Sequence, residues 1–278
     1  MQIRENIPLA PFTTLGVGGP ARYFVEATTS EDVSQAVNWA HERKLPLFVL
    51  GGGSNLLIAD AGFAGLVLKP AIRGISKLAE SGRLLFTVGA GEDWDAFVAQ
   101  AVACSCAGVE CLSGIPGSAG GTPVQNVGAY GQEVSETICS VEALEIANGA
   151  LTTFANSDCQ FSYRGSIFNT NARDRFIILR MTFALEPGGA PRLVYADLKK
   201  HFGTHEPALA ETREAVRQIR HQKGMLLVEG DPDCRSAGSF FKNSRNERFR
   251  QLGWSSRRDF PRGSRAARWA SRTAMPWP

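Results

Sequence analysis

A glycine-rich stretch, GIPGSAGGTPVQNVGAYG at residues 114–131, restricts the possible folds more than any other part of the chain. It holds six glycines in eighteen residues, and glycine weakens the interior of both helices and strands. The stretch is also too apolar for a flexible glycine–serine linker. Two interpretations stay open. One is an ordered loop wrapped around a large planar or phosphorylated ligand, which we favour, and the other is an irregular structural loop.

A second glycine-rich segment, GGGSN at residues 51–55, follows the apolar run LPLFVL at 45–50. That run predicts a buried strand. Glycines let a backbone turn tightly and bring successive N–H groups close to an anion, and Ser54 and Asn55 add side-chain donors. The segment matches neither G-x-G-x-x-G nor G-x-x-x-x-G-K-[ST], so it is not the usual dinucleotide loop or P-loop. An anion-binding loop and a simple tight turn both stay open.

Periodic patterns predict the other regular elements. Residues 30–41 form an amphipathic helix with Ser30 as N-cap and a buried face of Val33, Ala36, Val37 and Ala40. Further helices are expected at 92–103 and about 208–222, and a strand at 175–185. Asn148-Gly149 between two strand-like runs predicts a hairpin. The proline- and glycine-rich run at 186–192 is the candidate linker.

Length and composition limit the class of protein. The 278 residues, 44% apolar and 21% charged, suit a globular chain of one large or two ordinary domains. No signal peptide and no membrane-spanning run is recognised, so we expect a cytoplasmic protein. The six cysteines and four histidines have no metal-ligand spacing. We therefore expect no metal, and reduced thiols buried as small hydrophobic groups.

Residues 244–278 differ from the rest of the chain. They carry nine arginines against two acidic residues, have Leu252 as their only leucine, and show neither helical nor strand periodicity. Three interpretations stay open. The first, which we favour, is that the segment is an out-of-frame translation after Asn243. The second is a tail that binds nucleic acid through arginine and tryptophan. The third is a disordered extension.

Six segments in this order resemble one known family, the UDP-N-acetylenolpyruvoylglucosamine reductases. These flavoenzymes complete UDP-N-acetylmuramic acid for peptidoglycan synthesis. The resemblance covers about 10–243 and stops at Ser244. The segments are TTLGVGGPARYF (13–24), PLFVLGGGSNLL (46–57), GAGEDWDAFV (89–98), GVECLSGIPGSAGGTPVQNVGAYGQE (108–133), CQFSYRGSIF (159–168) and SAGSFFKN (236–243).

The resemblance implies an α+β fold. It implies an FAD-binding domain of the vanillyl-alcohol-oxidase (PCMH) type at 15–186, then an incomplete α+β substrate domain at 192–243. The basic tail at 244–278 is expected to be unstructured. The resemblance also implies non-covalent FAD, NADPH as reductant and a UDP-sugar enolpyruvyl ether as substrate. We expect a monomer without membrane partners and do not favour a nucleic-acid partner.

The resemblance also assigns residues to the cofactor and the substrate. The expected pyrophosphate cradle is Gly51, Gly52, Gly53, Ser54 and Asn55, and the residues expected to line the flavin are Ser118, Gly120, Gly121 and Asn126. The residues expected to contact substrate are Tyr163, Lys223 and Asn243. For Tyr163 a core aromatic, and for Lys223 a solvated surface lysine, stay open as alternatives.

The expected chemistry gives two residues catalytic roles. Hydride passes from flavin to the vinyl carbon of the substrate, and the resulting carbanion-like enolate must then be protonated. Arg164 is expected to hold the substrate carboxylate as charge develops there, and Ser239 to donate the proton. Members of the family also use a glutamate in a later segment. Residues 244–278 do not resemble that segment, and Glu247 is not assigned its role. The alternative that the chain is an FAD-binding homologue without turnover therefore stays open.

Overall fold

The computed structural model describes residues 1–231 and 234–237. The described residues belong to one unit, Met1–Gly238, and a second unit begins at Ser239. Predictions for Ser239, Asn243 and the tail at 244–278 therefore lie outside the described residues.

The described residues form twelve strands and four α-helices. The strands are β1 (Arg4–Pro8), β2 (Pro20–Ala27), β3 (Leu47–Val49), β4 (Phe63–Pro70), β5 (Ile75–Glu80), β6 (Arg83–Gly89), β7 (Cys106–Ala107), β8 (Gly128–Ala129), β9 (Gln132–Glu133), β10 (Ile138–Glu145), β11 (Leu151–Ala155) and β12 (Phe176–Pro187). The helices are α1 (Ser30–Glu42), α2 (Trp94–Ala103), α3 (Ala196–Phe202) and α4 (Leu209–Gln222).

The strands pair into two main sheets. The first is mixed, with the order β1-β2-β4-β3, in which β4 runs parallel to both of its neighbours. The second is antiparallel, with the order β11-β10-β12-β6-β5, and β7 pairs with the end of β12. Strands β8 and β9 form a small separate hairpin. The predicted strand at 175–185 is thus the central strand of the larger sheet.

Helix α1 packs between the two main sheets. Its buried face is the predicted one, Val33, Ala36, Val37 and Ala40, and it shares a core with Leu66 and Leu68 of β4 and with Ile177 and Leu179 of β12. The predicted N-cap is wrong by one residue. Thr29, not Ser30, caps the helix, because Thr29 is extended and its hydroxyl accepts the Asp32 N–H at 3.0 Å, while the Asp32 carboxylate accepts the Thr29 N–H.

Helix α2 packs against the larger sheet. The Asp93 carboxylate accepts the Ala96 N–H at 2.8 Å and caps its first turn. Trp94 and Phe97 then pack against each other and against Phe183 of β12. These aromatic rings are fully buried and lie in the largest hydrophobic core of the described residues. The helix expected at 92–103 is confirmed, beginning two residues later.

The predicted hairpin at Asn148-Gly149 is also present. Leu144 of β10 lies opposite Leu151 of β11, so the connection is longer than the two-residue turn that Asn-Gly favours. Gly149 takes the left-handed conformation at φ +71°. The Asn148 side chain closes the loop by donating to Glu145 at 2.9 Å and accepting the Ala150 N–H at 2.8 Å.

Helices α3 and α4, the last two in the described part of the chain, share a smaller core with Cys111 and Tyr130. Helix α4 was expected, whereas α3 was not. Between β12 and α3 lie residues 188–195, which overlap the candidate linker at 186–192. The domain boundary placed there stays a prediction.

Candidate functional site

The two glycine-rich segments meet at backbone contact. A Cβ added at Gly52 would lie 2.5 Å from the Ser118 nitrogen and 2.6 Å from the Gly117 carbonyl carbon, so only glycine fits there. Asn55 Nδ2 also donates to Gln125 Oε1 at 3.0 Å. The residues predicted to hold the pyrophosphate and those predicted to line the flavin are therefore neighbours in space.

The loop at 51–55 carries free hydrogen-bond donors. Within the described part of the chain, no group accepts a hydrogen bond from the backbone N–H groups of residues 51–55 or from the hydroxyls of Ser54 and Ser118. Successive N–H groups without an internal acceptor are the donors with which backbone loops bind phosphate. The donor set at this junction therefore fits a pyrophosphate-bearing cofactor such as FAD.

The second glycine segment is fixed to the start of α2. Trp94 N–H donates to Gly117 O at 3.0 Å, Ala119 N–H to Glu92 O at 2.8 Å and Gly120 N–H to Ala90 O at 2.9 Å. These bonds hold the stretch as an ordered loop rather than as a flexible linker. Its position relative to the larger sheet is consequently determined by backbone contacts.

Arg164 lies on a tight turn closed by reciprocal backbone hydrogen bonds. Ser162 N–H donates to Gly165 O at 2.9 Å, and Gly165 N–H donates to Ser162 O at 3.1 Å. Arg164 itself takes φ +55° and is half-buried. Tyr163 is 40% exposed, which rules out the alternative of a core aromatic for it.

This turn is tied to the second glycine segment by side chains. Asn126 Nδ2 donates to Ser162 O at 3.0 Å, and Ser166 Oγ donates to Val124 O at 2.8 Å. Arg164 is therefore held beside the loop expected to line the flavin. The role of Asn126 as a flavin-lining residue stays a prediction. Its amide forms hydrogen bonds within the protein.

The segment before Ser239 lies next to the first glycine loop. Thr14 Oγ1 donates to Ser236 O at 2.7 Å, and Thr14 N–H donates to Gly53 O at 3.1 Å. Gly16 provides the space for Arg235, whose guanidinium would overlap an added Cβ. The chain is thus anchored beside the loop three residues before Ser239.

Lys223 lies against the far end of the second glycine segment. Its ammonium pairs with Asp197 and sits 5.7 Å from the centre of the Tyr130 ring. This pairing separates it from a purely solvated surface lysine, and its predicted contact with substrate stays a prediction. Sequence reasoning missed Asp197 and Tyr130, because neither lies in a pattern that signals a charged contact.

Arg220 is a buried cation that sequence reasoning also missed. It is 4% exposed, and it donates to Gly114 O at 3.0 Å and to Met225 O at 2.9 Å. Burial lowers the pKa of Arg220, opposed by the charges of Tyr130 and Asp95, and burial also raises the pKa of Tyr130. The one available signal was its place on the buried face of α4, one turn after Val216.

Asp95 links α2, the second glycine segment and α4. Its carboxylate accepts the Gly114 N–H at 2.6 Å and pairs with Arg213 and Arg217. Burial raises the pKa of Asp95, but the hydrogen bonds and charges of the two arginines outweigh it, so the pKa lies below its ordinary value. Asp95 is therefore ionised, and it fixes one end of the loop.

Most of the cysteines are buried thiols. All six cysteines are free; Cys106, Cys111, Cys159 and Cys234 are buried, Cys104 is half-buried and Cys139 is exposed. The prediction of buried thiols is therefore wrong for Cys139, whose strand leaves it at the surface.

The described part of the chain holds no cluster of three or more metal-ligating side chains. In that same part, no helix combines the length and the apolar character that a membrane crossing requires.

Comparisons with known proteins identify the fold and the relatives. A family described as "FAD binding domain" matches residues 21–155. A solved UDP-N-acetylenolpyruvylglucosamine reductase from Thermus caldophilus superposes with a TM-score of 0.62 at 26% identity, covering 91% of this chain and 79% of that one. Cholesterol oxidase from B. sterolicum, at 17% identity and a TM-score of 0.50 over 67% of this chain and 37% of that chain, shares the fold alone. The expected α+β fold with an FAD-binding domain is confirmed.

The sequence relatives carry one name. The chain is 42% identical over 244 residues to the UDP-N-acetylenolpyruvoylglucosamine reductase of Thermobifida fusca, covering 86% of this chain and 68% of the relative. It is 47% identical over 241 residues to that of Saccharopolyspora erythraea, covering 84% and 65%. The chain spans about two thirds of the length of such curated relatives. It belongs to a family of FAD-dependent oxidoreductases, the UDP-N-acetylenolpyruvoylglucosamine reductases.

Proposed function

We propose that this chain catalyses the NADPH-dependent, FAD-mediated reduction of UDP-N-acetylglucosamine enolpyruvate to UDP-N-acetylmuramate, in peptidoglycan precursor synthesis. The proposal is supported by its relatives, whose names are those of enolpyruvoylglucosamine reductases. A cytoplasmic location and a monomeric state stay predictions.

One structural observation carries the proposal. Four segments far apart in the sequence are joined by hydrogen bonds or backbone contact: residues 235–236, the loop at 51–55, the glycine-rich stretch at 114–131 and the turn at 162–165. They contain every residue expected to hold FAD, together with Tyr163 and Arg164; Ser239 and Asn243 lie outside the described residues. Such convergence is what a cofactor-bearing active site requires.

Different residues would bind the pyrophosphate and the flavin of FAD. The unpaired N–H groups of residues 51–55, with the Ser54 hydroxyl, would hold the pyrophosphate of FAD, and residues 118–121 would lie along the flavin. FAD, when bound, would supply hydride transfer from NADPH to the vinyl carbon of the substrate.

The remaining chemistry belongs to side chains of the chain. Arg164 would hold the substrate carboxylate in a bidentate pair and stabilise the negative charge that develops beside it. Ser239 would donate a proton to the carbon that becomes basic, and its placement would matter more than its acidity because that carbon is a strong base. Lys223, released from Asp197, would meet a substrate phosphate.

The two half-reactions test these roles separately. The FAD-loaded chain is reduced by NADPH without oxygen, and flavin reoxidation is then followed after adding the enolpyruvyl sugar nucleotide. UDP-N-acetylglucosamine, which lacks the vinyl group, serves as the matched control. We expect the enolpyruvyl substrate alone to reoxidise the flavin. Reoxidation at the same rate with either nucleotide would contradict the proposed function.

Variants then identify the proton donor. Ser239→Ala is expected to leave reduction by NADPH intact and to slow reoxidation by ~10²–10⁴-fold, the usual contribution of a positioned general acid. Arg164→Met is expected to slow reoxidation in the same selective way. If the Ser239 variant slows both half-reactions equally, the serine is structural.

A second candidate is an FAD-binding homologue without turnover. It is favoured by the matched span, because the relatives align with 84–87% of this chain and with about two thirds of their own length. This candidate predicts a yellow protein that binds FAD but consumes NADPH no faster when the enolpyruvyl substrate is added.

A further inference from the structure

We propose that Asn126 is the positioning residue for Arg164 and that it does not contact the flavin. It acts through the turn at 162–165, whose first carbonyl it holds. The catalytic consequence rests on the proposed function, whereas the structural part can be tested without turnover.

The amide of Asn126 is fully engaged inside the protein. The residue is 1% exposed. Its Nδ2 donates to Ser162 O at 3.0 Å and to Glu133 Oε2 at 2.7 Å, and its Oδ1 accepts the Ser135 N–H at 3.1 Å. An asparagine amide has two N–H donors, and both are used. It therefore has no donor left for a bound cofactor.

The backbone at residue 126 explains why the side chain is asparagine. Asn126 takes φ +45°, a left-handed conformation that asparagine adopts more readily than most other non-glycine residues. Glycine would accept this backbone but supply no amide. Aspartate would supply no N–H and would place a second carboxylate against Glu133. Asparagine is thus the residue that satisfies the backbone and all three hydrogen bonds.

The turn that carries Arg164 needs external support. Arg164 takes φ +55°, a sparsely populated conformation that persists only where the surroundings fix it. Two asparagines supply that support: Asn126 holds Ser162 O, and Asn169 Nδ2 donates to Arg164 O at 3.3 Å. The two carbonyls, Ser162 O and Arg164 O, lie on either side of Tyr163 and Arg164 in the chain. Both residues expected to contact substrate therefore lie on one turn that is fixed at both ends.

Loss of this clamp should affect substrate chemistry more than cofactor binding. The guanidinium lies at the end of a long side chain, so a small shift of the turn displaces it. A displacement of about 1 Å from productive geometry can cost on the order of 100-fold in rate. The loops expected to hold FAD, in contrast, keep their own backbone contacts at Gly52 and Gly117.

The experiment uses the full chain loaded with FAD. Asn126→Gly and Asn126→Asp remove the amide, and Asn169→Asp removes the second anchor while keeping the carboxyl oxygen that accepts the Ser166 N–H. Asn148→Asp is the matched control, because its amide also donates to a glutamate and accepts a backbone N–H, but at a surface hairpin. Three quantities are measured: the FAD dissociation constant, hydrogen exchange at the Gly165 amide, and the rates of the two half-reactions.

We expect the Asn126 and Asn169 variants to speed exchange at Gly165 by about 2–10-fold, the effect of losing one partly buried hydrogen bond. The FAD dissociation constant should change by less than about twofold, and reoxidation by substrate should slow by about 10–100-fold with reduction by NADPH unchanged. Asn148→Asp should match the wild type in all three.

Two results would overturn the proposal. One is unchanged exchange at Gly165 in the Asn126 variants. The other is a loss of FAD affinity in the Asn126 variants as large as that caused by Gly52→Ala in the loop at 51–55, which would make Asn126 a flavin contact. Failure of the wild-type chain to turn over would count against the proposed function instead, because exchange and FAD affinity judge the positioning role without catalysis. If Asn126→Gly does not fold, Asn169→Asp tests the same clamp from its other end.

Discussion

Replacing Gly52 with alanine tests whether the contact between the two glycine segments holds FAD. Gly52 does not take a positive φ, so the substitution brings no backbone strain of its own. The added Cβ would lie 2.5 Å from the Ser118 nitrogen and 2.6 Å from the Gly117 carbonyl carbon. The clash is with backbone atoms, which cannot swing aside as a flexible side chain can.

The required movement gives the size of the effect. Real Cβ atoms essentially never approach within 3.0 Å, and ordinary contact begins at 3.4 Å. The loops must therefore separate by about 0.5–1 Å. Overpacking of this kind costs about 1–3 kcal/mol. If FAD binding requires the two loops to be in contact, this cost reduces the free energy of FAD binding. The FAD dissociation constant then rises by about 5–140-fold, at 1.4 kcal/mol per factor of ten.

Titration of the apo chain with FAD, followed by flavin fluorescence, measures this change. Gly82→Ala is the control, since Gly82 takes φ +76° in the β5–β6 turn and nothing lies within 4 Å of an added Cβ there. It lowers stability by about 1 kcal/mol through strain without touching the loops. Equal FAD affinity in Gly52→Ala and the wild type would refute the cradle, and so would an equal loss in Gly82→Ala, which would show a general effect of stability.

Two further predictions concern charge and thiols. Because the pKa of Asp95 is lowered in the folded state, its contribution is present above the unfolded value of about 3.9 and is lost as pH falls through the folded value. Asp95→Asn should lower stability near neutral pH by about 1–3 kcal/mol and flatten the acid side of a curve of Tm against pH; an unchanged curve would contradict this. In native protein an alkylating reagent should label Cys139 before Cys111 and Cys159, as read by mass spectrometry, because both are buried and burial raises the pKa of Cys159 to about 12; equal labelling rates would contradict it.

Elements with a clear hydrophobic period could be predicted from the sequence. The buried face of α1 and the positions of α2, α4 and β12 follow from local patterns of apolar residues, and the structure reproduces them within about two residues. Helix α3 carries no such pattern. It has seven residues, buries only Leu198 and has no side-chain N-cap. Its position is determined by packing on α4, which no local pattern reports.

The site was predictable as a set of loops but not as an arrangement. Glycine content predicted a tight turn or an anion-binding loop at 51–55 and favoured an ordered loop at 114–131. Which glycine meets which backbone could not be read, because the hydrogen bond from Asn55 to Gln125 spans seventy positions. The buried Arg220 and the paired Asp95 were missed for the same reason. Each is stabilised by partners on other elements, which sequence position alone does not identify.

The order of these contacts bears on how the proposed reaction is controlled. Arg164 is tied through Asn126 to the second glycine segment, and the chain before Ser239 is tied through Thr14 to the first. The two segments meet at Gly52 and Gly117. The distance between Arg164, expected to hold the substrate carboxylate, and residues 235–236 therefore depends on the loops that would hold FAD. A change that parts those loops should then reduce substrate chemistry as well as cofactor affinity, whereas a change at Asn126 should reduce substrate chemistry alone.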